Sequence, residues 1–199
     1  MRTLTLLLVF VIASCGGAHL SGPEAVIRPP SSMREDFMAQ QEITFSPENG
    51  EANSFNAILQ KRGNTLTLLA LTPFGTRAFS IEQSGDDVRS ESYVVQPLPV
   101  DARVVIADVD RSLFPYFPSP PANDTSRETR FGDVQVSERW TEGRLRERRF
   151  DETDTQSPDA IRIEYEYGDA ARRLPTQIRL TNPRMHYSLT VVTLEETAL

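Results

Sequence analysis

Turn chemistry recurs through the first half of the chain at intervals too short for helices. Pro47-Glu48-Asn49-Gly50, Arg62-Gly63-Asn64, Pro73-Phe74-Gly75 and Ser84-Gly85-Asp86 each combine residues that preset or tolerate turn dihedrals. The segments between them have strand length: residues 38–45, 52–61, 65–72, 76–83 and 88–95. In the second of these, Phe55, Ala57 and Leu59 fall on one face, with Asn56 and Gln60 on the other. Short strands joined by tight turns predict an antiparallel meander.

The middle of the chain breaks this pattern. Pro97 and Pro99 interrupt it and Asp101 is placed to cap a helix. Val105, Ile106, Val109 and Leu113 then recur at helical spacing until Pro115 stops the run. Phe114-Pro115-Tyr116-Phe117-Pro118 sets three aromatics among prolines, and residues 119–130 read as a polar, mobile loop. Strand patterns return over 134–140, 144–150, 160–167, 176–181 and 187–194. The third is the clearest, with Ile161, Ile163, Tyr165 and Tyr167 opposite Arg162, Glu164 and Glu166. The charged run 144–149 reads as an exposed stretch that resists edge pairing.

This order predicts a mainly β (α+β) fold. It is a single antiparallel open β-barrel, or strongly curved sheet, of about 10–11 strands with one or a few helices over the concave face. Two equal sandwiches are the alternative arrangement. A lid that does not fill the concavity leaves an apolar cavity. The expected lining is Leu66, Leu68, Phe79, Ile81, Ile161, Ile163, Leu180 and Leu189 from the sheet, closed by Val105, Ile106 and Val109 from the helix. A register error of one residue would exchange the two faces.

The only cysteine, Cys15, stands in "FVIASCGG". Before it come Met1 and Arg2, an apolar stretch from Leu4 to Ile12, and the small residues Ala13 and Ser14, which is the order of a secretory signal peptide. The stretch is too short to span a bilayer, which takes about 20 residues. Ile12-Ala13-Ser14-Cys15 resembles the bacterial lipobox, which implies cleavage after residue 14 and acylation of Cys15. Each lipid CH₂ contributes ~0.8 kcal/mol to anchoring, and two or three chains hold a protein stably. Gly16, where an aspartate would retain an enterobacterial lipoprotein at the inner membrane, implies the periplasmic face of the outer membrane.

The expected organisation is therefore a signal peptide over 1–14, an acylated flexible tether over 15–35 rich in Gly, Pro and Ser, and one domain over 36–199. The net charge of −7 argues against nucleic acid as a partner. With Cys15 acylated, no disulfide remains and the fold holds by packing alone.

Residue patterns for catalysis are sparse. His19 and His186 are the only histidines, and neither has a nucleophile or a second metal ligand at a recognisable spacing. Asp108 and Asp110 sit two apart on the predicted helix and point in different directions. No catalytic residue, metal site or cofactor is expected. The informative stretch is LTLLALTPFGTRAF, residues 66–79, apolar on both strand faces. Its turn carries Phe74 between Pro73 and Gly75, where a polar tip is usual. Phe74 either folds back onto the core or projects toward lipid or a protein partner.

At these residues a resemblance emerges. Leu68-Leu69-Ala70-Leu71-Thr72-Pro73-Phe74-Gly75-Thr76 resembles the strand–Pro–apolar–Gly–strand segment of the LolA/LolB family of outer-membrane lipoprotein carriers and receptors. The chain is more similar still to a family of small bacterial lipoproteins of unknown function. The shared features are Gln40-Gln41-Glu42, the Pro-x-Gly hairpin, a Leu-Pro-rich lead into the helix, and Ile178-Arg179-Leu180-Thr181-Asn182-Pro183 followed by Tyr187-Ser188-Leu189-Thr190. The likeness covers roughly residues 36 to 195. It implies an unclosed barrel whose concavity receives acyl chains, with Phe74 assisting transfer into the membrane. One departure is that residues 16–35 are too broken by Pro and Gly for the N-terminal helical region of LolB.

The reading that follows is a monomeric, lipid-anchored periplasmic protein of the outer membrane. It binds acyl chains and helps localise or transfer lipoproteins or lipid-like products, with a periplasmic carrier protein as donor and no covalent chemistry. The alternative is a non-enzymatic assembly or scaffold lipoprotein whose sheet is filled by its own side chains and whose Phe74 docks a protein.

Overall fold

The computed structural model describes residues 27–94, 100–152, 160–168 and 172–199. The expected signal peptide, Cys15, His19 and the first part of the tether lie outside the described residues, as does most of the Leu-Pro-rich lead into the helix. The elements are β1 (Phe37–Pro47), β2 (Asn53–Arg62), β3 (Thr65–Leu71), β4 (Arg77–Ser84), β5 (Asp87–Ser92), α1 (Ala102–Leu113), β6 (Thr125–Phe131), β7 (Val134–Thr141), β8 (Arg144–Glu152), β9 (Ile161–Glu166), β10 (Gln177–Asn182) and β11 (Tyr187–Ala198).

All eleven strands form one antiparallel sheet in the order β5-β4-β3-β2-β1-β11-β10-β9-β8-β7-β6. The chain thus builds two meanders, and the long pairing of β1 with β11 welds them into a single sheet. β5 and β6 are left as the two edges, so the sheet is not closed. The helix connects one edge to the other and packs on β4, β5 and β10, which lays it across the inner face. This is the open, curved sheet with a helical lid that the strand order predicts.

The inner face follows the period-two pattern. Leu66, Leu68 and Ala70 of β3 are buried, and so are Ile161, Ile163 and Tyr165 of β9. Pairing through the bulge at Gln40/Gln41 keeps Gln41 opposite Thr193 on that face. Two apolar clusters result. One centres on β1–β4 with Ile106 and Phe114; the other spans β7–β11 with Val136, Phe150, Ile163 and Leu180. The helix begins where expected, with the Asp101 carboxylate accepting from Arg103 N at 2.7 Å, and ends at Phe114 before Pro115. On the outer face the second apolar row of β3 is half-buried, with Leu69 opposite Ile58 of β2.

Three expectations need correction. The loop over 119–130 is a strand from Thr125 onward, the edge strand β6, held by full pairing with β7. It carries no apolar alternation because its inward position is Arg127, which pairs with Glu138 and stacks 4.2 Å from the Phe117 ring. The charged run over 144–149 is not an exposed, edge-like stretch. It belongs to β8, an interior strand between β7 and β9, and Arg148 is buried against Glu138 at 2.7 Å. The tether ends sooner than residue 35. Ile27 packs on the first cluster, Pro30 and Met33 are buried, and Arg28 ion-pairs with Asp110 at 2.8 Å. Pro and Ser there hide a few apolar residues that find a core.

Candidate functional site

Between the two clusters the helix stands off the sheet and leaves a half-open cavity of about 130 Å³. That is close to the ~150 Å³ of an engineered apolar cavity large enough to take up benzene. The roof is Val105, Val109, Ser112 and Leu113 of α1, with Val100 just before it. The walls are Phe55, Leu59, Leu68 and Phe79 on one side and Ile178, Leu180, Leu189 and Val191 on the other, with Ile43 and Phe45 from β1. Phe55 and Phe79 meet edge to face at 5.8 Å, which gives the first wall a rigid aromatic corner.

Of the residues expected to line a cavity, the structure brings six to it: Leu68, Phe79, Leu180, Leu189, Val105 and Val109. Five others sit elsewhere. Leu66 and Ile81 on the inner face and Ile106 on the helix are sealed in the first cluster. Ile161 and Ile163 belong to the second cluster, on the part of the concavity that side chains fill. Their periodicity was right for the face, but periodicity carries no information on which stretch of a face is left empty.

Polar filling explains that other half. Arg148 lies under the end of the helix, donating to Glu138 Oε1 at 2.8 Å and to Arg111 O at 2.6 Å. Trp140 Nε1 donates to the same Glu138 carboxylate at 2.8 Å. Tyr116 sits 4.8 Å from the Arg148 guanidinium and 5.1 Å from Phe150. Buried charges of this kind are tolerated when paired and hydrogen-bonded. Charge at inward positions gives no hydrophobic signal, so the sequence pattern missed all three of Arg127, Glu138 and Arg148.

Among the described residues four polar side chains reach the cavity: Gln41, Asp108, Ser112 and Tyr187. Asp108 is buried, and its two oxygens are occupied. Arg111 donates to Oδ1 at 2.8 Å, and the Tyr187 hydroxyl donates to Oδ2. Burial pushes the Asp108 carboxyl above its ordinary value, opposed by Arg111 and by the Tyr187 hydrogen bond. Tyr187 is pushed up in turn, first by burial and then by the Asp108 charge. Asp110 points elsewhere, to Arg28 and Tyr116, as the helical spacing implied.

At the β3–β4 turn, Phe74 is 93% exposed. It does not fold back. Gly75 adopts φ +77°, which a side-chain-bearing residue resists, and its amide donates to Thr72 O at 2.9 Å. Thr72 and Thr76 hydroxyls meet at 2.8 Å across the base and stiffen the turn. Tyr93 and Val94, both exposed, follow β5 at the same end of the sheet, where Tyr93 N donates to Ala78 O. Register places the cavity walls in the half of the sheet nearest this turn, since Phe79, Phe55 and Phe45 all lie close to that end of their strands.

His186 is exposed and its Nδ1 lies 2.6 Å from Glu48. Among the described residues no group of three His, Cys, Asp or Glu could hold a metal ion. No described helix is long and apolar enough to cross a membrane.

A family model described as "protein of unknown function (DUF3261)" matches residues 38–195. No curated protein matches the chain. Among solved structures the chain is similar to a LolA superfamily protein from Nitrosomonas europaea, at 12% identity and TM-score 0.47, covering 87% of this chain and 89% of that one. It is also similar to a putative outer membrane lipoprotein-sorting protein domain from Vibrio parahaemolyticus, at 12% identity and TM-score 0.44, over 85% and 87% of the two chains. A DUF1329 family protein from Desulfovibrio piger matches at 11% identity and TM-score 0.34, over 84% and 87%.

Proposed function

We propose, from the premise that the chain belongs to the DUF3261 family of proteins of unknown function, that it is a lipid-anchored carrier that shelters acyl chains at the periplasmic face of the outer membrane. The observation that carries this reading is the apolar cavity between α1 and the sheet. Burying hydrocarbon there contributes about 25 cal/mol per Å² of apolar surface and needs no covalent step. Its walls are preformed, and its position beside a rigid turn bearing an exposed aromatic suits exchange of a chain with a bilayer.

In this reading Cys15 is acylated and moors the domain. The residues after it give reach, and Phe74, flanked by Pro73 and Gly75, enters the lipid surface during transfer. The cargo is the acyl moiety of a lipoprotein or a lipid-like product delivered by a periplasmic carrier protein. The test is titration of the full chain carrying Cys15→Ser with a fluorescent fatty acid. Saturable binding with one site per chain is expected. Absence of saturable binding removes the carrier reading.

The packed half of the concavity favours a second reading, an assembly or scaffold lipoprotein that docks a protein partner through Phe74. A Phe74→Glu variant that keeps lipid transfer but loses a co-purifying protein would select it over the carrier.

A further inference from the structure

Gln41 is an anomaly in this cavity. It is 4% exposed, it lines the apolar space, and its side-chain amide, which faces that space, has no hydrogen-bond partner among the described residues. Its cross-strand partner Thr193, 4% exposed, has a buried hydroxyl that likewise finds no partner. Of the other polar groups at the cavity, Ser112 brings a short hydroxyl from the helix side, and the remaining two engage each other. Asp108 has both oxygens engaged, and Tyr187 spends its proton on Asp108.

An unpaired buried amide is costly unless something arrives to pair with it. Water can satisfy it while the cavity is free. A plain hydrocarbon that displaces the water leaves the amide stranded. An occupant with an oxygen at that depth restores the bond. Among the described residues no Lys, Arg or His lines the cavity, so a carboxylate or phosphate there would be desolvated without a counter-ion from that lining.

We infer that Gln41 is a specificity-determining contact for an apolar chain bearing an uncharged hydrogen-bonding oxygen, a hydroxyl or a carbonyl, inside the cavity. The inference rests on the carrier reading and adds to it the chemistry of what is carried. Gln41 offers both a donor and an acceptor, so it accepts either oxygen type but distinguishes both from a methylene. Thr193, its cross-strand partner on β11, puts a second polar side chain beside it on the inner face.

The test is a thermodynamic cycle that varies one residue and one ligand group on the full chain carrying Cys15→Ser, with dodecanol and dodecane competing against a bound fluorescent apolar probe. Gln41→Met keeps length and removes hydrogen bonding. Comparing the two proteins for each ligand cancels the difference in ligand hydration. The expected result is that Gln41→Met weakens dodecanol about tenfold and leaves dodecane unchanged or tighter, the usual cost of stranding one polar group. Equal effects on both ligands overturn the inference while leaving the carrier reading intact. Failure of both ligands to displace the probe overturns both. Thermal melting supplies a control, because an amide awaiting a ligand is dispensable to folding. Gln41→Met is expected to melt no lower than wild type, and a large loss would make Gln41 structural and overturn the assignment.

Discussion

Arg28 grips Asp110 of the lid helix twice: its backbone amide donates to Oδ2 at 2.9 Å and its guanidinium approaches Oδ1 at 2.8 Å. The same guanidinium lies 3.8 Å over the Tyr116 ring and donates to Pro115 O at 2.6 Å. The segment leading from the expected anchor is thus bolted to the C-terminal end of the helix. Arg28→Ala leaves a buried carboxylate with Tyr116 as its main remaining side-chain partner, and should cost about 3 kcal/mol of stability. Arg28→Met combined with Asp110→Leu should cost less than either single change. Urea denaturation of Arg28→Met, Asp110→Leu and the double variant checks this, and additive losses would contradict it.

Asp108 should make the fold sensitive to pH in the direction opposite to most buried ion pairs. Its folded-state value lies above the ordinary 3.8, chiefly through burial. The folded chain therefore keeps a proton that the unfolded chain has released. Stability falls as pH rises from the ordinary value through the raised one, and the loss is not recovered above it. Asp108→Asn cannot titrate. Its stability relative to wild type should improve from about pH 4 to pH 7. A difference that stays flat over that range would contradict the assignment.

Filling the cavity should separate folding from binding. Val109 projects from α1 into the space, and Val109→Phe adds bulk there. The expected outcome is unchanged or raised stability, by up to about 1 kcal/mol, with loss of saturable acyl-chain binding. Fluorescence titration and thermal melting on one preparation check both halves.

Phe74 should matter to transfer and not to folding. At 93% exposure its replacement by Glu should alter stability by no more than about 0.5 kcal/mol. Delivery of a labelled acyl chain to vesicles should drop sharply, while binding of that chain persists. Loss of binding along with transfer would mean that the turn shapes the cavity itself.

These outcomes turn on features of unequal legibility in the sequence. The alternation of Ile161, Ile163 and Tyr165 against Arg162, Glu164 and Glu166 states a half-buried strand outright, because each inward side chain is apolar. Asp101 and Pro115 bracket the helix by local chemistry alone. β6 was hidden because Arg127 replaces an apolar residue on its inward side, held by Glu138 and the Trp140 and Phe117 rings. Arg148 was hidden in the same way, since burial by charge pairing has no hydropathic period. Leu66 and Leu68 show a further limit. They are two positions apart on one face, yet one is sealed in the core and the other borders the cavity. That difference arises from where α1 crosses the sheet, a tertiary distance that no local pattern records.

In the proposed function an acyl chain lies between α1 and the inner face of the sheet. Photocrosslinking tests it most directly, using a palmitoyl chain with a diazirine near its end and peptide mapping of the adducts. A chain held there should label Val105 or Val109 on the helix and Leu189 or Val191 on β11, and excess unlabelled chain should suppress it. Labelling confined to Phe74 and the outer face, or labelling that excess chain does not suppress, would contradict it.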